Sequence, residues 1–168
     1  MNYGKINKYD VANGPGVRVS LFVSGCRRKC PGCFNEETWD FEYGEPFTNA
    51  TLGELITSLS PEYISGLTIL GGEPFEPDNI AEVRRIIAVI RDLYPQKSIW
   101  VYTGYKIEHL IKGDSDYDQH VRSILENIDV LVDGPFIEEL KDITLAFMGS
   151  SNQRIIESPW KFLSRTGT

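Results

Sequence analysis

Four short apolar runs limit what this chain can become, because the segments between them carry a different period. VRVSLFV (Val17 to Val23), LTIL (Leu67 to Leu70), SIWVYT (Ser98 to Thr103) and DVLVD (Asp129 to Asp133) are rich in β-branched residues, and each meets a glycine within two residues of its end. Thr51 to Ser60 reads as a helix, with Leu52, Leu55, Ile56 and Leu59 on one face, Thr51 and Glu54 spaced as a capping box, and Pro61 as the stop. Ile80 to Tyr94 repeats the design: Ile80, Val83, Ile87, Ile90 and Tyr94 face inward, Asn79 and Glu82 offer a box, and Pro95 closes it. Helical stretches follow over Lys106 to Ile111 and Asp118 to Asn127, and Gln153 to Glu157 fits a last strand. Strands alternating with helices predict parallel pairing through right-handed crossovers. A closed eight-unit barrel takes roughly 250 residues. With 168 residues, 41% of them hydrophobic, the expectation is a smaller α/β fold: a single-domain partial (open) βα barrel with parallel strands over residues 1–168. The tail from Ser158 has no clear period and is expected to be flexible.

The net charge of −7 argues against a nucleic-acid surface, which usually needs a basic footprint. One basic cluster exists, Arg27, Arg28 and Lys29, and reads either as a solvated loop or as a docking patch. The start, MNYGKINKYD, is polar, and no apolar run approaches the ~20 residues that span a bilayer. The expectation is a cytoplasmic protein with neither leader nor membrane segment. In that reducing setting clustered cysteines bind metal or do redox chemistry more often than they form bridges.

All three cysteines lie within eight residues, Cys26, Cys30 and Cys33, spaced C-x3-C-x2-C directly after the first run. In parallel α/β folds ligands bind at the carboxyl ends of the strands. The other three runs end in GGEP (Gly71 to Pro74), TGY (Thr103 to Tyr105) and DGPF (Asp133 to Phe136), so four unusual stretches share one predicted rim. Three thiolates are one short of the usual set for a four-iron cluster and would leave an iron open for a small chelating ligand with an amino and a carboxylate group. Gly71 and Gly72 would let backbone approach that ligand, and Glu73 could hold its amino group. Two other readings stay open: zinc with His109 or His120 as fourth ligand, and a redox disulfide between Cys30 and Cys33 that leaves Cys26 unexplained.

NGPGVRVSLFVSGCRRKCPGCFNEETW, LTILGGEPFEP, IWVYTGY, VLVDGPF and GSSNQR together resemble the radical S-adenosylmethionine superfamily. Within it they resemble the glycyl-radical activating branch that serves anaerobic ribonucleoside-triphosphate reductase. The resemblance implies a 4Fe-4S cluster on Cys26, Cys30 and Cys33, with S-adenosylmethionine on the fourth iron. It implies reductive cleavage to a 5′-deoxyadenosyl radical, which takes a hydrogen from a glycine near the C-terminus of the large reductase subunit. Gly71, Gly72 and Glu73 match the cofactor strand, and Gly32 and Phe34 match the backbone beside the adenine. Thr103 and Asp133 complete the expected cofactor-binding set. A flavodoxin- or ferredoxin-type donor would supply the electron, and Arg27, Arg28 and Lys29 offer it a basic face.

Two departures from that branch stand out. Pro135 stands where many relatives have lysine, and Phe147-Met148 where they often have Trp-Arg. The rival enzyme reading is a radical S-adenosylmethionine enzyme for a small molecule, of the carboxy-deazaguanine synthase kind. A passive metal-binding module is the third.

Overall fold

The computed structural model describes residues 1–163; the last five residues of the tail lie outside the described residues. Seven strands form one sheet in the order β3-β1-β2-β4-β5-β6-β7. They are β1 (Asn2–Asp10), β2 (Val17–Val23), β3 (Glu45–Pro46), β4 (Ile64–Gly71), β5 (Ser98–Tyr102), β6 (Val130–Asp133) and β7 (Arg154–Glu157). The four runs read from the sequence are β2, β4, β5 and β6, and they pair in parallel as expected. The all-parallel expectation fails at both edges, where β1, β3 and β7 are antiparallel. The sheet is open, with β3 and β7 as its edges.

The helices are α1 (Asn49–Leu59), α2 (Pro77–Leu93), α3 (Ile107–Leu110) and α4 (Asp116–Asn127). Both expected capping boxes need correction. In α1 the box is Thr48 with Thr51, one turn earlier than Thr51 with Glu54. In α2 Pro77 opens the helix after Glu76, and Asn79 sends its amide to Ser24 O and Glu73 O instead of capping. A true box closes the start of α4, between Ser115 and Asp118.

Strand alternation sorts the side chains into two faces. Val19, Leu21, Val23, Ile99 and Val101 pack with Leu55, Ile87 and Ile124 from the helices in the main core. On the opposite face Trp100, Val130 and Val132 form a second cluster with Tyr102, Phe147 and Met148. The helix-free face is therefore covered by the segment before β7. Beyond β7 a 3-10 turn, Pro159–Phe162, carries Phe162 and Leu163 against the main core. No helix among the described residues is long and apolar enough to cross a membrane.

Candidate functional site

Leaving β2, the chain turns at Gly25 (φ +103°), whose N–H donates to Thr38 O at 2.7 Å, and Cys26 N–H donates to Trp39 O at 3.1 Å. The cysteine loop is thus pinned to the short 3-10 turn Glu36–Trp39. Two left-handed residues, Lys29 (φ +47°) and Gly32 (φ +75°), wind it back on itself. Cys33 N–H donates to Cys30 O at 3.1 Å, and Asn35 N–H to Cys33 Sγ at 3.4 Å. All three thiols are free and partly buried. Burial pushes the Cys26 thiol up, so it holds its proton until a metal displaces it.

GGEP closes against this loop. Gly72 N–H donates to Val23 O at 2.7 Å and Glu73 N–H to Gly25 O at 2.8 Å. A Cβ on Gly72 would stand 2.6 Å from Gly25 O, and one on Gly71 would stand 2.7 Å from Val23 O. Both glycines are required by the fold itself, whatever ligand approaches them. The Glu73 carboxylate is buried and accepts from Gly104 N–H at 2.7 Å, Thr103 Oγ1 at 2.8 Å and Phe75 N–H at 3.0 Å. Burial outweighs these donors and the neighbouring Arg28 charge, and raises its pKa to about 7. Of about four lone-pair positions on a carboxylate, roughly one remains free.

Cys26, Cys30, Cys33, Gly71, Gly72, Glu73 and Thr103 line one cavity of about 130 Å³. A second, of about 470 Å³, opens beside it on the helix-free face and shares Cys33, Asn35, Leu70, Tyr102, Phe136 and Gln153 with the first. Phe34 lines this larger space, 58% exposed, at 5.2 Å from the Phe136 ring. Gly32 lines neither; its place is a loop position where a Cβ would meet the Glu138 carboxylate.

Asp133 is placed apart from both cavities. Its carboxylate is fully buried and accepts from Ile107 N–H at 2.9 Å and from Arg154, which also grips Glu108 through two 2.9 Å bonds. Its role is to tie β6, α3 and β7 together. GSSNQR does similar work: Gln153 accepts from Gly149 and Ser150 N–H and donates to Gly134 O. The basic cluster does not stand as a patch. Arg27 is bonded to Glu76 and Asp78, Arg28 turns into the smaller cavity, and Lys29 is left exposed.

His120 meets Arg84 at 3.1 Å between α4 and α2, His109 is exposed on α3, and neither lines a cavity with the cysteines. Among the described residues no three His, Cys, Asp or Glu side chains converge on a position for one metal ion. A cluster asks for less convergence, since each thiolate takes a different iron. Sequence reasoning missed Arg28, Tyr102, Gln153 and Asn35 as cavity residues. All four sit inside or next to the quoted motifs; Arg28, Asn35 and Gln153 lie in loops, where spacing gives a side chain no direction, whereas Tyr102 ends β5 and shares the face of Trp100 by strand alternation.

Residues 12–156 match the family model of a 4Fe-4S single cluster domain, which sets the class of the protein. Three anaerobic ribonucleoside-triphosphate reductase-activating proteins are similar over nearly their whole length. That of Escherichia coli K12 is 41% identical, covering 91% of this chain and 96% of its own. That of enterobacteria phage T4 is 40% identical over 96% and 99%, and that of Vibrio cholerae 40% over 92% and 97%. The chain belongs to the family of anaerobic ribonucleoside-triphosphate reductase-activating proteins.

Proposed function

We propose that this chain is a single radical S-adenosylmethionine domain that activates an anaerobic ribonucleoside-triphosphate reductase. The observation that carries the reading is the joint lining of one cavity by three free thiols and the GGE turn, in a chain of this family. The donor set fits a 4Fe-4S cluster: soft, unbridged thiols on one loop, with Cys26, Cys30 and Cys33 as ligands. Glu73 and the smaller cavity would hold the amino-acid end of S-adenosylmethionine, and Phe34 with the larger cavity would hold its adenosine. When bound, the pair supplies a 5′-deoxyadenosyl radical that removes a hydrogen atom from a reductase glycine.

The chain's own residues hold and shield. Thr103 and Gly104 fix the Glu73 carboxylate, so the GGE turn and the end of β5 move as one piece. Leu70, Tyr102 and Phe136 supply the apolar part of the junction of the two cavities, beside the amides of Asn35 and Gln153, and this apolar part would limit the access of water to a reactive radical. In this reading the open sheet, with helices on one face, is a partial barrel, and the open side of the larger cavity suits a protein loop as substrate. The electron donor in this reading is a flavodoxin- or ferredoxin-type protein, docking at the cysteine loop through Lys29 rather than through three free cations. The site of action is the cytoplasm.

Anaerobic incubation with the reductase, S-adenosylmethionine and a reductant, followed by electron paramagnetic resonance, tests the proposal. A glycine-centred doublet is expected. Release of 5′-deoxyadenosine with a small molecule but never with the reductase would favour the carboxy-deazaguanine synthase kind of enzyme instead.

A further inference from the structure

Arg28 leaves the cysteine loop inward, passing over Gly104, where an added Cβ would stand 2.6 Å from its Cδ and 2.7 Å from its Nε. Its guanidinium lies over the Tyr105 ring at 4.9 Å, and it is the only cation among the described residues lining the smaller cavity. Arg28 Nε is shut off from solvent and has no acceptor among the described residues. Glu73 is near but committed, its oxygens taken by Thr103, Gly104 and Phe75. A buried cationic N–H without an acceptor is unfavourable, and folded chains keep one where another group completes it.

We propose that Arg28 receives the α-carboxylate of the amino-acid end of S-adenosylmethionine, an inference that rests on the function proposed above. An amino acid is a zwitterion, and this cavity offers its complement: one spare acceptor position on Glu73 beside a guanidinium whose Nε has no acceptor among the described residues. Guanidinium suits the task because its planar fork pairs a carboxylate through parallel charge-assisted bonds, and stacking on Tyr105 fixes the plane beforehand. Gly104 is the passage that lets the side chain through.

The test uses cluster-loaded wild type, Arg28→Gln, Arg28→Lys and Gly104→Ala, with S-adenosylmethionine and its decarboxylated analogue as probes in anaerobic equilibrium dialysis. Iron and sulfide content, and the electron paramagnetic resonance signal of the reduced cluster without ligand, are expected to match across all four proteins. Arg28→Gln should bind S-adenosylmethionine roughly ten- to a hundredfold more weakly while leaving the decarboxylated analogue unaffected. Gly104→Ala should follow Arg28→Gln, and Arg28→Lys should recover part of the loss. Equal weakening for both probes, or for neither, overturns the assignment, as does an Arg28→Gln protein that takes up no cluster. Wild type with a full cluster and no affinity for either probe would instead refute the function on which the inference rests.

Discussion

Two arginines on β2 and its following loop have opposite fates, and the contrast separates the two ends of the sheet. Arg18, at the amino end, is fully buried and gives five hydrogen bonds: to Thr68 Oγ1, Ser98 Oγ, Pro15 O, Leu67 O and Ser98 O. Arg28, at the carboxyl end, is turned into a cavity with its Nε unmatched. The amino end is complete as it stands. Among the described residues the carboxyl end keeps three free thiols and an arginine Nε without an acceptor, the mark of a place finished by something bound.

The contrast breaks first at Arg18. Arg18→Ala should cost about 3–5 kcal/mol in urea unfolding of the metal-free protein, because it opens a void and orphans several buried acceptors. Arg28→Gln should change that stability by less than about 1 kcal/mol, since it loses no native hydrogen bond, only the stacking on Tyr105 and a charge beside Glu73. Equal losses would mean that the two ends are built alike.

Glu73 sharpens the contrast through pH. Its folded pKa of about 7 lies above the ordinary carboxylate value, so the folded state holds a proton that the unfolded chain has released. Stability of the metal-free protein should therefore fall as pH rises from about 4.5 to about 7, by about 3 kcal/mol, and level off above that. Glu73→Gln should flatten this slope in unfolding experiments across the same range.

A smaller effect is expected at Asp133, near the rim but belonging to the framework. Asp133→Ala should lose about 2–3 kcal/mol, since it leaves Ile107 N–H unpaired and Arg154 with Glu108 alone. Cofactor affinity per folded molecule should not change. A variant that is stable yet binds S-adenosylmethionine poorly would return Asp133 to the cofactor set.

Much of the framework could be read from residues alone, for a physical reason: buried parallel strands are continuous apolar runs. Val17–Val23 was legible to the residue, whereas Ile64–Gly71 begins three residues before Leu67 because Ser65 and Gly66 interrupt its run. Asn2–Asp10 escaped detection because two register shifts against β2 break its alternation. The cysteines and GGEP were legible as chemistry. The direction of Arg28 was not, because Arg27, Arg28 and Lys29 are equivalent in sequence until the turn at Lys29 and the gap at Gly104 send one inward. The partner of Asp133 was not legible for a related reason: a carboxylate at a strand end serves a ligand or a neighbouring arginine equally well on paper, and Arg154 is 21 residues away.

The most direct test of the account is the iron and sulfide content of protein reconstituted without oxygen, for wild type and for the Cys26→Ala, Cys30→Ala, Cys33→Ala triple variant. About four of each per wild-type chain, the complement of a 4Fe-4S cluster, and almost none in the variant are predicted. A wild type without iron, or a variant that keeps its full complement, would contradict it.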